Sequence, residues 1–452
     1  MEIKLPKNVD FLIKTLNNNG FDAYVVGGCV RDSLLGRKPK DWDIASSATP
    51  EQVIELFKND FTIVPTGIKH GTVTIMIDKE GYEITTFRID GTSTDNRHPD
   101  KVVFTKNIYE DLSRRDLSIN ALAYNPTEGI IDIFNGIRDL NNKTIRAVGI
   151  AEERFSEDAL RILRAVRFSA QLGFSIEQKT LNGIIEIKEN LQYISKERIR
   201  DEFLKIIKSD YRKLTLLSKL DLMKFIIPEN KFSRMIGYNQ NNPYHHLSLI
   251  EHTYSSMDAI STESVGDKYY LRLVMLLHDI GKPECKTVDD NGISHFKGHG
   301  KISADIAKDI LLTLKFDKET INKVVTLINI HDTTINGSKT LKRLLNKYGE
   351  EITRDLLKVR WADIIAQNPI YSKNRLVKVI ALEKLLNKII KENQAFSIKD
   401  LKVNGKDLIS IGYKPGKKLG KQLSDLLEAV IDGKIENTKE LLLDEAKKGL
   451  NN

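Results

Sequence analysis

Two observations predict an α+β multidomain chain, with a head built on a small mixed β-sheet and an all-α remainder. Short β-rich runs alternate with helical stretches over about the first 150 residues. From about Glu152 onward, apolar residues recur at the three and four spacing of helices almost to the end. At 452 residues the chain exceeds what one ordinary core organises, so three or four domains are expected.

Taken in order, residues 8 to 19 read as a helix stopped by Gly20, and Asp22 to Val26 as a strand leading into Gly27 and Gly28. Thr49, Pro50 and Gln52 supply an N-cap, a first-turn proline and a capping glutamine, so a helix starts there. Three β-rich runs follow: Phe61 to Val64, Thr72 to Ile77 and Tyr82 to Phe87. Helical periodicity is clear in Ala159 to Phe168 and in Ile199 to Ile207. A polar, Asn-rich break spans Lys231 to Pro243, and another boundary falls near Asn393 to Ser397. The expected layout is a head over 1–150, a helical neck over 151–235, a histidine-containing helical domain over 240–390 and a basic tail over 395–452.

A net charge of +8, spread along the chain rather than confined to a tail, suits a polyanionic partner without identifying it. Cys29 and Cys285 lie far apart and suggest neither a disulfide nor a cysteine zinc framework, which points to a reducing compartment. Met1 to Asp10 carries charges where a signal peptide needs an apolar run, and no stretch approaches the roughly 20 apolar residues of a membrane span. A cytoplasmic protein with no membrane partner is expected, and the sequence carries no signal for an oligomeric state.

The most informative run is Gly27, Gly28, Cys29, Val30, Arg31 and Asp32, followed by Asp41, Trp42 and Asp43. Paired glycines entering a short helix let backbone N–H groups approach phosphate. On a strand, side chains alternate faces, so Asp41 and Asp43 are expected to point the same way and to share metal ions. Either feature alone is more often a turn or a solvated strand end. Arg114, Arg115 and Asp116, then Asn120 and Ala121, bring guanidinium groups that match triphosphate oxygens, and an aspartate able to accept from ribose hydroxyls. A surface cluster capping a helix is the alternative. Glu157, Asp158 and Arg161 sit on a predicted helix, with Asp158 and Arg161 three apart and so on one face. An accepting aspartate beside a donating arginine suits the amine and ring nitrogen of cytosine or adenine, which guanine and uracil reverse. An ordinary ion pair is the plainer fate of such a spacing.

In this order the motifs resemble class II tRNA nucleotidyltransferases of the poly(A) polymerase superfamily, over roughly residues 21 to 207. The resemblance implies that Asp41 and Asp43 are catalytic and hold Mg²⁺, that Gly27, Gly28 and Arg31 hold phosphates, and that Arg114, Arg115, Asp116, Asn120, Asp158, Arg161 and Arg164 bind the nucleotide. Glu157, Glu197 and Arg200 are then implied to support the base-reading helix. Gly67, Lys69, His70, Gly71 and Thr72 resemble the G-x-KHGT element of members that add CCA. Arg88 to Pro99, with Gly91, Asp95, Asn96, Arg97 and His98, resembles the loop needed for the switch from C to A. Asp132 to Gly136, with Asp139 and Leu140, resembles the hinge element between head and neck.

Downstream, His278 and Asp279 in LLHDIGK read as neighbours on a helix, with His252 before them and His299, His331 and Asp363 after. Imidazole and carboxylate suit Mn, Fe, Co, Ni or Zn. The pattern resembles HD phosphohydrolases, which implies His252, His278, Asp279 and Asp363 as metal ligands, with His299 and His331 forming a second metal position or binding phosphate. Asn404 to Asp407 and Ile411 to Gly420 interleave glycines and lysines. They suit either a phosphate backbone or a loop between packing helices, and their resemblance to the family's C-terminal part favours tRNA contact.

The expectation is therefore a template-independent CTP/ATP:tRNA nucleotidyltransferase that adds or repairs the 3′-terminal CCA of tRNA. The HD segment is expected to act on 2′,3′-cyclic phosphate ends. The alternatives are an A-adding enzyme working beside a CC-adding partner, a poly(A) polymerase, or, more distantly, a metal phosphohydrolase whose N-terminal half only binds RNA.

Overall fold

A computed structural model of the chain describes residues 2–90, 102–228, 230–260 and 268–450. It folds into two compact units, Met1–Glu229 and Asn230–Asn452.

The first unit opens with α1 (Lys7–Asn18), which buries Val9, Leu12, Ile13 and Leu16 at helical spacing. β1 (Ala23–Val26) is buried along its whole length, and α2 (Gly28–Leu34) follows at once. β2 (Ile44–Ser46) leads to α3 (Pro50–Phe57), where Thr49 and Gln52 form the expected capping box. β3 (Thr62–Gly67), β4 (Thr72–Ile77) and β5 (Glu80–Thr86) form a meander, and β6 (Arg88–Asp90) pairs with β7 (Val102–Phe104) in a separate ribbon. α4 (Ile108–Ser113), β8 (Leu122–Asn125), β9 (Gly129–Asp132) and α5 (Gly136–Asn141) complete the head. The main sheet has seven strands in the order β3-β4-β5-β2-β1-β8-β9. It is mixed as expected: β2 runs parallel to β5, whereas β1 is antiparallel to both β2 and β8.

α6 (Ala151–Glu157), α7 (Leu160–Leu172), α8 (Gln178–Ile187) and α9 (Lys196–Lys208) follow. Ile162, Leu163, Val166 and Phe168 of α7 are buried, as are Ile199, Phe203 and Ile206 of α9. A parallel pairing of Thr144–Ile145 with Ser175–Ile176 joins this helical part to the end of the head.

The second unit is helical apart from a two-stranded ribbon, Thr287–Val288 with Ser294–His295. Its helices span Leu249–Ala259, Tyr270–Leu277, His299–Thr313, Lys318–Ile330, Ser338–Ile365 and Pro369–Lys391. The C-terminal helices Gly405–Ser410, Lys417–Ile431 and Lys439–Leu450 close over their own core of Val403, Leu408, Tyr413, Leu426 and Leu442. Cys29 and Cys285 are free thiols. Among the described residues, no helix is long and apolar enough to cross a membrane.

Candidate active site and candidate metal centre

A polar cleft of about 670 Å³ in the first unit takes in Gly27, Gly28 and Arg31 at the start of α2, together with Asp41 and Asp43. Gly27 adopts φ 75° and ψ −120°, and a Cβ there would lie 2.9 Å from Nη1 of Arg115. Only glycine meets both demands. The aspartates correct one expectation, because they precede β2 rather than lying on a strand. β1 turns away at Gly27, so the last rung is the Val26 N–H donating to the Asp43 carbonyl at 3.0 Å, and residues before Asp43 have no ladder partner. Both still line the cleft. Loss of solvent raises the carboxyl pKa of Asp43, the Arg115 guanidinium opposes that rise and the Asp41 carboxylate adds to it.

The arginines are held by a residue that motif reading does not single out. Asp111, fully buried on α4, accepts from Nε and Nη2 of Arg114 at 2.9 and 2.7 Å and from Nη2 of Arg115 at 3.1 Å. The signal was present, since i,i+3 and i,i+4 spacing puts both arginines above one helical carboxylate. Asp116 accepts from Arg164 Nε at 2.6 Å, from Asn120 Nδ2 at 3.2 Å and from the Leu117 N–H at 2.9 Å. Burial would raise its pKa, but the Arg164 charge and these hydrogen bonds prevail and bring it to about 2. Asn120 in turn accepts from Arg31 Nη1 at 2.6 Å. Arg31, Asn120, Asp116 and Arg164 thus form one chain of charge-assisted bonds across the cleft.

The expected geometry of Asp158 and Arg161 needs a second correction. Asp158 does not share a helix face with Arg161, because α6 ends at Glu157 and Asp158 is extended, with φ −149° and ψ 103°. Its carboxylate accepts from the N–H of Leu160, the first residue of α7, at 3.0 Å, and its extended backbone separates the two helices. Arg161 instead pairs with Glu157 at 2.6 Å and donates to the Arg154 and Arg114 carbonyls at 3.1 and 3.0 Å. Asp158, Arg161 and Arg164 nevertheless all face the cleft. Glu197 is exposed in the first turn of α9 and Arg200 pairs with Asp201 at 2.9 Å. Arg198, between them, reaches Asp158 at 2.7 Å. The sequence also gave no sign of Phe168, whose ring centroid lies 4.0, 4.9 and 5.7 Å from the guanidinium carbons of Arg167, Arg31 and Arg164. Seven arginines and four aspartates line this cleft in all.

The G-x-KHGT stretch forms a tight turn after β3, in which Arg88 Nη1 donates to the His70 carbonyl at 2.6 Å. A Cβ on Gly71, at φ 82°, would meet the Phe104 ring at 2.7 Å. Gly91, Asp95, Asn96, Arg97 and His98 lie outside the described residues.

In the second unit His252, His278, Asp279 and Asp363 each offer a ligand atom within 4.8 Å of the others, and so do Asp279, His299 and His331. His278 and Asp279 follow the last turn of helix Tyr270–Leu277 rather than lying within it. The Nδ1 atoms of His252, His278, His299 and His331 lie 3.2, 2.8, 2.8 and 2.7 Å from the backbone carbonyls of Ala366, Met275, Phe296 and Ile328. Those bonds fix the proton on Nδ1 and aim each Nε2 lone pair inward. The Nε2 atoms of His252 and His278 are 3.3 Å apart, and those of His299 and His331 3.1 Å. Asp279 spans the two pairs, with Oδ2 3.3 Å from His252 and Oδ1 3.3 Å from His299. Burial disfavours a charged His278, yet Asp279 and Asp363 outweigh it and push that ring up to about 10, so a cation entering the cluster must displace a proton from Nε2 to reach that lone pair. Convergent lone pairs and carboxylates that draw positive charge are what a cation site needs. Lys282 closes the LLHDIGK motif without a role being evident from sequence, and its Nζ is 2.6 Å from Asp279. With Lys297, Arg360 and Arg375 it lines a cleft of about 550 Å³ over the cluster.

Residues 23–146 match the family model of the poly A polymerase head domain, 173–232 that of the RNA- and SrmB-binding site of polymerase A, and 293–446 that of tRNA nucleotidyltransferase domain 2. The CCA-adding enzyme of Enterococcus faecalis is 32% identical over 448 residues, covering 97% of this chain and 94% of the relative. That of Ligilactobacillus salivarius is 35% identical over 439 residues, covering 97% and 95%. The crystal structure of the Bacillus stearothermophilus CCA-adding enzyme in complex with CTP superposes with a TM-score of 0.67 at 28% identity, over 99% of this chain and 98% of that one. With such likeness along nearly its whole length, and with a cleft that gathers the ordered motifs, the chain belongs to the family of CCA-adding enzymes.

Proposed function

We propose that this chain completes or repairs the 3′ CCA end of tRNA in the cytoplasm, transferring CMP and AMP from CTP and ATP without a nucleic-acid template. The observation that carries the reading is the gathering, in one cleft, of a Gly27–Gly28 phosphate turn, the Asp41 and Asp43 carboxylates, the Arg114 and Arg115 guanidinium groups, and the Asp158 and Arg161 base readers. Backbone N–H groups at the start of α2 and the arginines bind the triphosphate, Asp116 faces the ribose, and Asp158 and Arg161 meet the base edge. The hard oxygen donors of Asp41 and Asp43 fit Mg²⁺. Asp41 and Asp43 would hold that ion, which would supply acidification of the attacking 3′ hydroxyl and charge stabilisation for the departing pyrophosphate.

The second unit is proposed to hold a divalent transition metal, Ni, Mn, Co, Fe or Zn, between His252, His278, Asp279 and Asp363. His299 and His331 are proposed to serve a second position. The inward Nε2 lone pairs support this, and the cations over the cluster suit a phosphate ester such as a 2′,3′-cyclic phosphate end. Such a metal would supply an activated water for hydrolysis.

The test of the transferase reading is primer extension on a tRNA transcript ending at the discriminator base, with Mg²⁺ and CTP, ATP or both. Growth by two C and one A, stopping there, is expected. Addition of A alone to a transcript ending in CC would mean an A-adding specialist, and long A tracts a poly(A) polymerase.

A further inference from the structure

Asp363 uses its two carboxylate oxygens differently. Oδ1 meets the histidine cluster, 3.1 Å from Nε2 of His252 and 3.7 Å from Nε2 of His278. Oδ2 instead accepts from Nε2 of Gln367 at 3.1 Å. Gln367 is buried, and its own Oε1 accepts from Nη1 of Arg375, eight positions further along the chain. Only one orientation of the amide serves both neighbours. A carboxylate can only accept and a guanidinium can only donate, so turning the amide over would set oxygen against oxygen and N–H against N–H. Arg375 thereby fixes which end of Gln367 meets Asp363. The residue before Gln367 serves the same cluster, since the Ala366 carbonyl lies 3.2 Å from Nδ1 of His252. The turn that ends helix Ser338–Ile365 therefore orients an imidazole and a carboxylate at once.

We propose that Gln367, locked by Arg375, is a positioning residue for the metal centre that keeps Asp363 a one-oxygen ligand. The inference rests on the reading that His252, His278, Asp279 and Asp363 hold a divalent cation. Without a donor on Oδ2, the Asp363 carboxylate is free to turn and to present either oxygen or both. With that donor its plane is set and Oδ1 alone faces the cluster. One ligand atom from each of two imidazoles and two carboxylates suits a transition metal, whereas Ca²⁺ gathers about six to eight oxygens, often two from one carboxylate. Gln367 thus acts on both the affinity for a transition metal and the preference over Ca²⁺.

The experiment titrates Co²⁺ or Ca²⁺ into the full-length chain stripped of transition metal, with Mg²⁺ in excess to occupy the oxygen donors of Asp41 and Asp43. Wild type, Gln367→Leu, Arg375→Met, Asp363→Ala and Gln367→Leu/Asp363→Ala are compared by heat of binding and by the visible absorption of bound Co²⁺. Gln367→Leu should bind Co²⁺ about tenfold or more weakly, with an altered absorption spectrum and a smaller preference over Ca²⁺. Arg375→Met leaves the amide in place without its lock and should fall between, at about threefold. In the Asp363→Ala background, loss of Gln367 should change the affinity no further, since the two act through one interaction. An affinity within twofold of wild type with an unchanged spectrum in Gln367→Leu, or a further loss of equal size in the Asp363→Ala background, would overturn the proposal. If Gln367→Leu fails to fold, Arg375→Met carries the same comparison. Co²⁺ held as tightly by Asp363→Ala as by wild type would instead sink the assignment of the metal ligands, and with it this inference.

Discussion

Arg164 donates from Nε to Oδ2 of Asp116 at 2.6 Å, a bond spanning 48 positions of chain that ties helix α7 to the turn carrying Arg114 and Arg115. The carboxylate is 6% exposed, so the pair is both a positioning device and a stability element. Its folded pKa falls from 3.8 to about 2, so the stabilisation is present above pH 3.8 and is lost as pH falls through about 2. By linkage it is worth about 2 kcal/mol. Asp116→Asn should therefore be less stable than wild type near neutral pH, and the gap should narrow between about pH 4 and 2. Denaturant midpoints across that range check it.

Asp43→Ala should reduce incorporation of both C and A by about a thousandfold or more while leaving the melting temperature close to wild type. The two aspartates are proposed to act on the reacting groups and not on the base, so neither nucleotide should escape the loss. Single-turnover extension with each triphosphate measures it.

Gly27→Ala tests the phosphate turn. A side chain must enter a backbone region reserved for glycine and press on Arg115, at a cost of about 1 to 3 kcal/mol. The expected result is a rise of about tenfold or more in KM for CTP and ATP alike, read from initial rates.

His278→Ala should lose transition metal that wild type retains through purification. Elemental analysis of both proteins, with the melting temperature before and after a chelator, reads this out. A chelator should lower the melting temperature of wild type and leave that of the variant unmoved. Equal metal content in the two would remove the centre from consideration.

The contrast between what sequence revealed and what it hid follows from the range of the interactions. Gly27, Arg31, Asp41, Arg114 and Asp158 announce themselves because their chemistry is carried by short spacing, and the Thr49 capping box is local by nature. Asp111 follows the same local rule, but an acidic residue near two arginines is indistinguishable from a surface pair until its burial is known. Arg198 could not be read, since nothing in the chain says which arginine forty positions on will turn toward Asp158. The break at Asp158 hid for a related reason. Helical periodicity runs through Ala159 to Phe168, and one extended residue before a helix does not disturb that pattern. His278 and Asp279 were found by type and spacing, whereas the bridging position of Asp279 between two imidazole pairs belongs to the packing of four helices.

The surplus of arginine over aspartate on the cleft wall separates holding from choosing. Seven guanidinium groups against four carboxylates attract any condensed phosphate, whatever sugar or base it carries, because charge reads only charge. Discrimination is then left to the proposed readers, Asp158 and Arg161 for the base and Asp116 for the ribose. Pyrophosphate and inorganic tripolyphosphate should therefore compete with CTP and ATP equally well. Raising the ionic strength should weaken the hold on every nucleotide without altering which one is preferred.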